Sequence, residues 1–279
     1  MSYEFSISRS KNIAVSLALY LLIFVLPSPT YAASFDVNEI GQMTLQGDIE
    51  PGDAERALST LLSIRPIAGS LYLYPSSLQV NSRGGDVSEA LKLGALLKVL
   101  YMDVFVAANG TGLCASSCFF VYLAGIERHA SGINRLTTNG VTGNFGPLGV
   151  HRPYFKAPEG GPASTKRQEE VMKATATYLQ AERVPQLLID KMMSYASNDI
   201  YWLNAEEIRS IGRFQAGVEE ELIAKCGYSA KREDQMTARE SIRDIQSGTR
   251  ACMSKHVDAT YGPSKQEAIA RMRKGWRPW

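Results

Sequence analysis

The sequence predicts an α/β fold, a largely parallel sheet covered by helices, followed by a small C-terminal helical appendage. Three observations carry it. Short apolar runs of strand length alternate with segments of helical periodicity from about residue 35 to residue 212. Glycine-rich breaks such as Gly84-Gly85 and Gly110-Thr111-Gly112 separate them. Beyond Glu221 the composition turns polar and charged, which sets a boundary near residue 222.

Residues 1–32 read as a signal peptide. Arg9 and Lys11 precede the uncharged run Ile13 to Pro27, and Thr30-Tyr31-Ala32-Ala33 offers a cleavage site after Ala32. The apolar run is shorter than the ~20 residues of a membrane span, so an anchor is the lesser reading. The remainder divides into one domain, 33–222, and the appendage, 223–279.

Within the domain, Phe35 to Glu50 alternates apolar and polar residues as one strand, stops at Pro51-Gly52-Asp53, and leads into a helix from Asp53 to Ile64. A strand at Leu78 to Asn81 meets the Gly84-Gly85 break. Val87, Ala90, Leu91, Gly94 and Leu97 then share one helical stripe. The run from Asp103 is a buried strand. CASSCFFVYLAG after it reads as a helix capped by Gly125, which puts Cys114 and Cys118 on one helical face. Asn134 to Gly146 has no periodicity and reads as a flexible loop bordering the site. A strand at Leu148 to Pro153 precedes helices at Ser164 to Glu182 and Val184 to Tyr195. Asn204 with Glu207 forms a capping box for a last short helix ending at Gly212.

The formal charge of +2 falls to +1 once Glu4, Arg9 and Lys11 leave with the signal, which argues against nucleic acid as a partner. His129, His151 and His256 are scattered and the cysteines lack paired metal spacing, so no metal site is expected. Export places Cys114, Cys118, Cys226 and Cys252 in an oxidising compartment. Cys226 and Cys252 are expected to pair and clamp the appendage. For Cys114 and Cys118, plain packing and a local disulfide that stiffens the turn both remain open.

Three segments together carry chemistry: Val80 to Asp86 (VNSRGGD), Gly112 to Gly125 (GLCASSCFFVYLAG) and Val150 to Pro153 (VHRP). A serine hydrolase needs a nucleophile, a base to take its proton and preorganised amides for the oxyanion. Ser116 can supply the first and His151 the second. The Ser117 amide with that of Gly84 or Gly85 can supply the third. Gly85→Ala is expected to crowd that approach without unfolding the chain.

These segments resemble the proteolytic subunit of Clp protease, its signal peptide peptidase A relatives and the wider crotonase fold. The family reads N-S-P-G-G, then G-x-x-A-S-x-G, then a strand ending in H-x-P. Here these are Asn81 to Gly85, Gly112 to Cys118, and His151-Arg152-Pro153, with Arg83 replacing the proline and Cys118 a glycine. The resemblance runs from about Gly41 to Gly212. It implies a ClpP/crotonase-like fold of repeated ββα units, with Ser116 as nucleophile and His151 as base. Asp199 is implied as the orienting acid, one position out of register; Asn198 or a backbone carbonyl are its substitutes. A lysine base, Lys156 or Lys166, is the lesser option.

The implied function is an exported, periplasmic or secreted serine peptidase that cleaves unfolded or short peptides. It needs no cofactor, and without ATP outside the cytoplasm no ATPase partner is expected; a homo-oligomer stays open. Two other readings are a catalytically silent binding member of the fold and an acyl-CoA enzyme. The second has no need of a Ser-His pair.

Overall fold

The computed structural model describes residues 32–38, 42–64, 76–106, 112–130, 134–138, 141–145, 147–154, 162–196, 198–228 and 248–279. The expected signal peptide lies outside them, apart from Ala32. The chain is a mixed α/β structure with eight helices among the described residues.

The first strand expected from the alternation is in fact two. β1 (Ser34–Val37) and β2 (Gln42–Gln46) pair antiparallel, and Asn38 ties the turn: its N–H donates to Gln42 O and its Oδ1 accepts from Gln42 N. β2, β3 (Ser77–Asn81), β4 (Asp103–Val106) and β6 (Arg128–Ala130) then run parallel, giving the order β1-β2-β3-β4-β6. One face of a central strand such as β3 is apolar, where Leu78 and Val80 are buried, while Ser77, Gln79 and Asn81 alternate onto the other, half-buried face.

The crossovers from β2 to β3 and from β3 to β4 each carry a helix whose start the sequence marks. Gly52 at φ 94° opens α1 (Asp53–Ser63), and Asp86 caps α2 (Val87–Val99) by accepting from Glu89 N at 2.8 Å. α1 and α2 are joined where Ala54 N donates to the buried Glu89 carboxylate at 3.1 Å. Leu58, Leu61, Leu93, Leu96 and Leu97 from the two helices fill one core with β2, β3 and β4.

A second, three-stranded sheet has the order β10-β9-β5. β5 (Cys114–Ala115) and β9 (Leu148–Val150) run parallel, and β10 (Tyr201–Trp202) runs antiparallel to β9. The segment expected as one helix from Cys114 is therefore strand, turn and helix. Cys114 lies on β5, Ser116 and Ser117 form the turn, and α3 (Cys118–Leu123) is wholly buried. The stretch expected as a loop at 134–146 contains an antiparallel hairpin, β7 (Asn134–Thr138) with β8 (Val141–Phe145).

α4 (Pro162–Ala181), α5 (Gln186–Ser194) and α6 (Ala205–Ile211) follow, α6 with the expected capping box of Asn204 and Glu207. The expected division at residue 222 falls inside α7 (Val218–Cys226). α8 (Thr249–Arg273) is tied to α7 by the Cys226–Cys252 disulfide and inserts Ala268, Ile269 and Met272 into the main core. Residues 229–247, which join the two helices, are outside the described set.

Candidate active site

The site lies where the two sheets meet, beyond the C-terminal ends of β3, β5 and β9. Ser82 and Cys114 form a bridge between β3 and β5: Ser82 N donates to Leu113 O at 2.8 Å and Ala115 N to Ser82 O at 3.0 Å. The chain then leaves β5 into the turn, where Ser116 has φ 56°. A non-glycine residue in this left-handed region costs ~1–3 kcal/mol and persists only where its surroundings over-determine it. Here they do. Ser116 N donates to Gly149 O at 2.9 Å and Ser116 O accepts from Phe119 N at 3.0 Å. The disulfide Cys114–Cys118 spans the turn with its Cα atoms 5.2 Å apart.

Gly84 closes the other side. A Cβ placed there would stand 2.6 Å from Ser116 Cβ, 2.8 Å from Ser117 N and 2.5 Å from Ala115 O. Its φ of 92° also calls for glycine. The Gly84 amide is engaged, donating to Ser82 Oγ at 3.0 Å. In the parallel bridge of Ile49 with Gly85, the bonds pass through Gly84 O and Asp86 N, so the Gly85 N–H faces away from Ile49. Neither that N–H nor Ser117 N–H has a hydrogen-bond partner among the described residues.

His151 follows β9. The register of β5 on β9, Ala115 opposite Gly149, sends Ser116 and His151 out from adjacent ends of one strand pair. The imidazole is buried, and its Nδ1 lies 2.8 Å from Arg152 O. A carbonyl can only accept, so in the neutral ring Nδ1 carries the proton and Nε2 is left with its lone pair. Among the described residues no hydrogen bond joins Nε2 to Ser116 Oγ, and catalytic contacts are often long before substrate binds.

Asp199 is exposed, its N–H donates to Ala196 O at 3.0 Å, and no hydrogen bond links it to His151 among the described residues. Asn198 is exposed as well. Of the orienting groups the sequence offers, a backbone carbonyl, that of Arg152, is the one that hydrogen-bonds the ring among the described residues. Lys166 is exposed on α4, facing Glu170; Lys156 falls outside the described residues.

Sequence reasoning missed what holds the scaffold behind the turn. Tyr178 on α4 donates to Phe120 O at 2.9 Å, fixing α3 from behind, and burial pushes its phenol well above its usual range. Glu182 pairs with the buried Arg128 and with Lys98. A glutamate three residues before Pro185 carries no sequence signal for such a role.

No family model matches the chain, and no curated protein does. Among solved structures it is similar to a ClpP1 mutant from Listeria monocytogenes, 15% identical over 63% of this chain and 90% of that one, with a TM-score of 0.36. A likeness at that score adds no weight to the assignments of Ser116, His151 or the glycines.

Proposed function

We propose that the chain is an exported, ATP-independent serine peptidase with a ClpP/crotonase-like domain, acting on unfolded or short peptides through Ser116 and His151. The observation that carries the reading is the Ser116 turn. A serine held at φ 56° leaves one end of the β5–β9 pair while a histidine with its Nδ1 proton directed to a carbonyl leaves the other strand. In this reading His151 Nε2 takes the Ser116 proton as Oγ attacks a peptide carbonyl. The Gly85 and Ser117 amides receive the oxyanion. The acyl-enzyme is then hydrolysed with His151 as base for water. The Arg152 carbonyl orients the ring, with Asp199 in a lesser role. Export fits the two disulfides, which belong to an oxidising compartment. Cleavage after Ala32 and a homo-oligomeric state belong to the same proposal.

The test is covalent. Exposed to a fluorophosphonate, the folded protein without residues 1–32 should gain one adduct, located by mass at Ser116. The adduct should vanish in Ser116→Ala and in His151→Ala, and the double variant should cleave peptides no more slowly than either single one. Asp199→Asn should change turnover by less than about threefold, since a group not touching the ring has little tautomeric control to lose. An unlabelled wild type that also leaves unstructured peptides intact would make the chain a silent binding module.

A further inference from the structure

We propose that the Cys114–Cys118 disulfide is a positioning element of the peptidase site, holding Ser116 in its attacking conformation, so that activity depends on this bond being oxidised. The inference rests on the serine peptidase reading above and adds a chemical requirement to it.

Three observations support it. The two cysteines enclose only Ala115, Ser116 and Ser117, and they belong to different elements, Cys114 to β5 and Cys118 to the first turn of α3. The bond therefore limits the distance between strand end and helix start, the two points between which the left-handed Ser116 is strung, and adds to the hold of its bonds to Gly149 O and Phe119 N. Both cysteines are fully buried, so the bond is packed between the core and the site. The far side of the turn has no slack, because Gly84 already lies against Ser116 Cβ and Ser117 N.

Reduction by an external dithiol breaks the S–S bond and places two electrons and two protons on the pair, while the dithiol closes to its own disulfide. Two thiol sulfurs cannot approach as closely as two bonded ones. In a close-packed interior they must move apart, and with Gly84 blocking one side the displacement falls on the turn itself. A shift of Ser116 relative to the Gly85 and Ser117 amides lowers the rate of attack more than it lowers substrate binding. The second disulfide, Cys226–Cys252, ties α7 to α8 and has no such effect.

The experiment compares folded wild type, Cys114→Ala/Cys118→Gly and Cys226→Ala/Cys252→Ala for fluorophosphonate labelling of Ser116 and for kcat and KM on an unstructured peptide. The Cys114/Cys118 variant should label at least about tenfold more slowly, with kcat reduced in step and KM within about twofold. The Cys226/Cys252 variant should label like wild type. Should the first variant fail to fold, wild type is reduced with dithiothreitol while its circular dichroism is followed, and the sulfur state is read by mass. Labelling should fall on reduction and return on reoxidation. Equal labelling of the oxidised and reduced forms would overturn the proposal while leaving the peptidase reading standing. Absence of labelling in oxidised wild type would overturn both.

Discussion

Gly85 is held by its surroundings more tightly than its place in a turn suggests. A Cβ added there would lie 2.0 Å from Ile49 O and 2.9 Å from Ile49 N, and the residue sits at φ 146°. The neighbour is backbone, which cannot rotate aside. The expectation that Gly85→Ala leaves the fold intact is therefore corrected: β2's continuation at Ile49 would have to move, and with it the bonds to Gly84 O and Asp86 N. We predict that Gly85→Ala costs about 3 kcal/mol or more, read from denaturant midpoints, together with loss of Ser116 labelling. A variant as stable as wild type would show that the strand can shift freely. Asp199 gives the opposite lesson. Its one-position offset from the family pattern was visible in the sequence, and so was the carbonyl alternative. Which carbonyl could not be read, because the Nδ1 contact depends on how the chain bends after Val150.

Helices α1, α2, α4, α5 and α6 were legible, because each is announced by local chemistry: a cap, a glycine break or a stripe of leucines. β5 was not. A two-residue strand carries no periodicity, and Cys114 and Cys118 at a spacing of four read equally well as one helical face. Its pairing with β9 and Ser82 is purely tertiary. The hairpin β7–β8 was hidden for a related reason, since its Gly, Thr and Asn residues have loop composition and only cross-strand bonding defines them. Also invisible was the anchor of α4. Glu182, just past the helix, pairs with Arg128 of β6 and Lys98 of α2, and Arg128 is wholly buried with Nη1 lacking a partner among the described residues. Removing one partner of a buried pair strands the other charge. We predict that Glu182→Gln costs about 3–5 kcal/mol by denaturant unfolding, whereas the exposed Lys166–Glu170 pair can be removed at a cost near zero. A loss below about 1 kcal/mol for Glu182→Gln would show that solvent reaches Arg128.

At the opposite end of the parallel sheet from Ser116, α8 lies across a cavity of about 540 Å³ into which Asp103, Glu127, Arg213, Asp258 and Lys265 face. Burial, and then the charge of Glu127, push the Asp103 carboxyl up to about 7. Burial pulls Lys265 down to about 8, against the attraction of Asp103 and Asp258. Glu127 is itself held low, because its bonds to His129 and Arg213 outweigh its burial. The two shifts act on stability in opposite pH windows. Between pH ~4 and 7 the native state binds the Asp103 proton more tightly than the unfolded chain does, so stability falls as pH rises through that range. Between pH ~8 and 10.5 the unfolded chain holds the Lys265 proton more tightly, so stability rises with pH there. The contribution of this pair therefore has its minimum near pH 7 to 8, where both groups are asked to carry charge under α8. Unfolding free energies measured from pH 4 to 10 should show it as a trough superimposed on the other groups. Asp103→Asn should flatten the acid limb and Lys265→Met the alkaline one, each relative to wild type in the same buffers. Wild-type limbs that persist unchanged in both variants would mean that water in the cavity solvates these groups well enough to restore their ordinary titration.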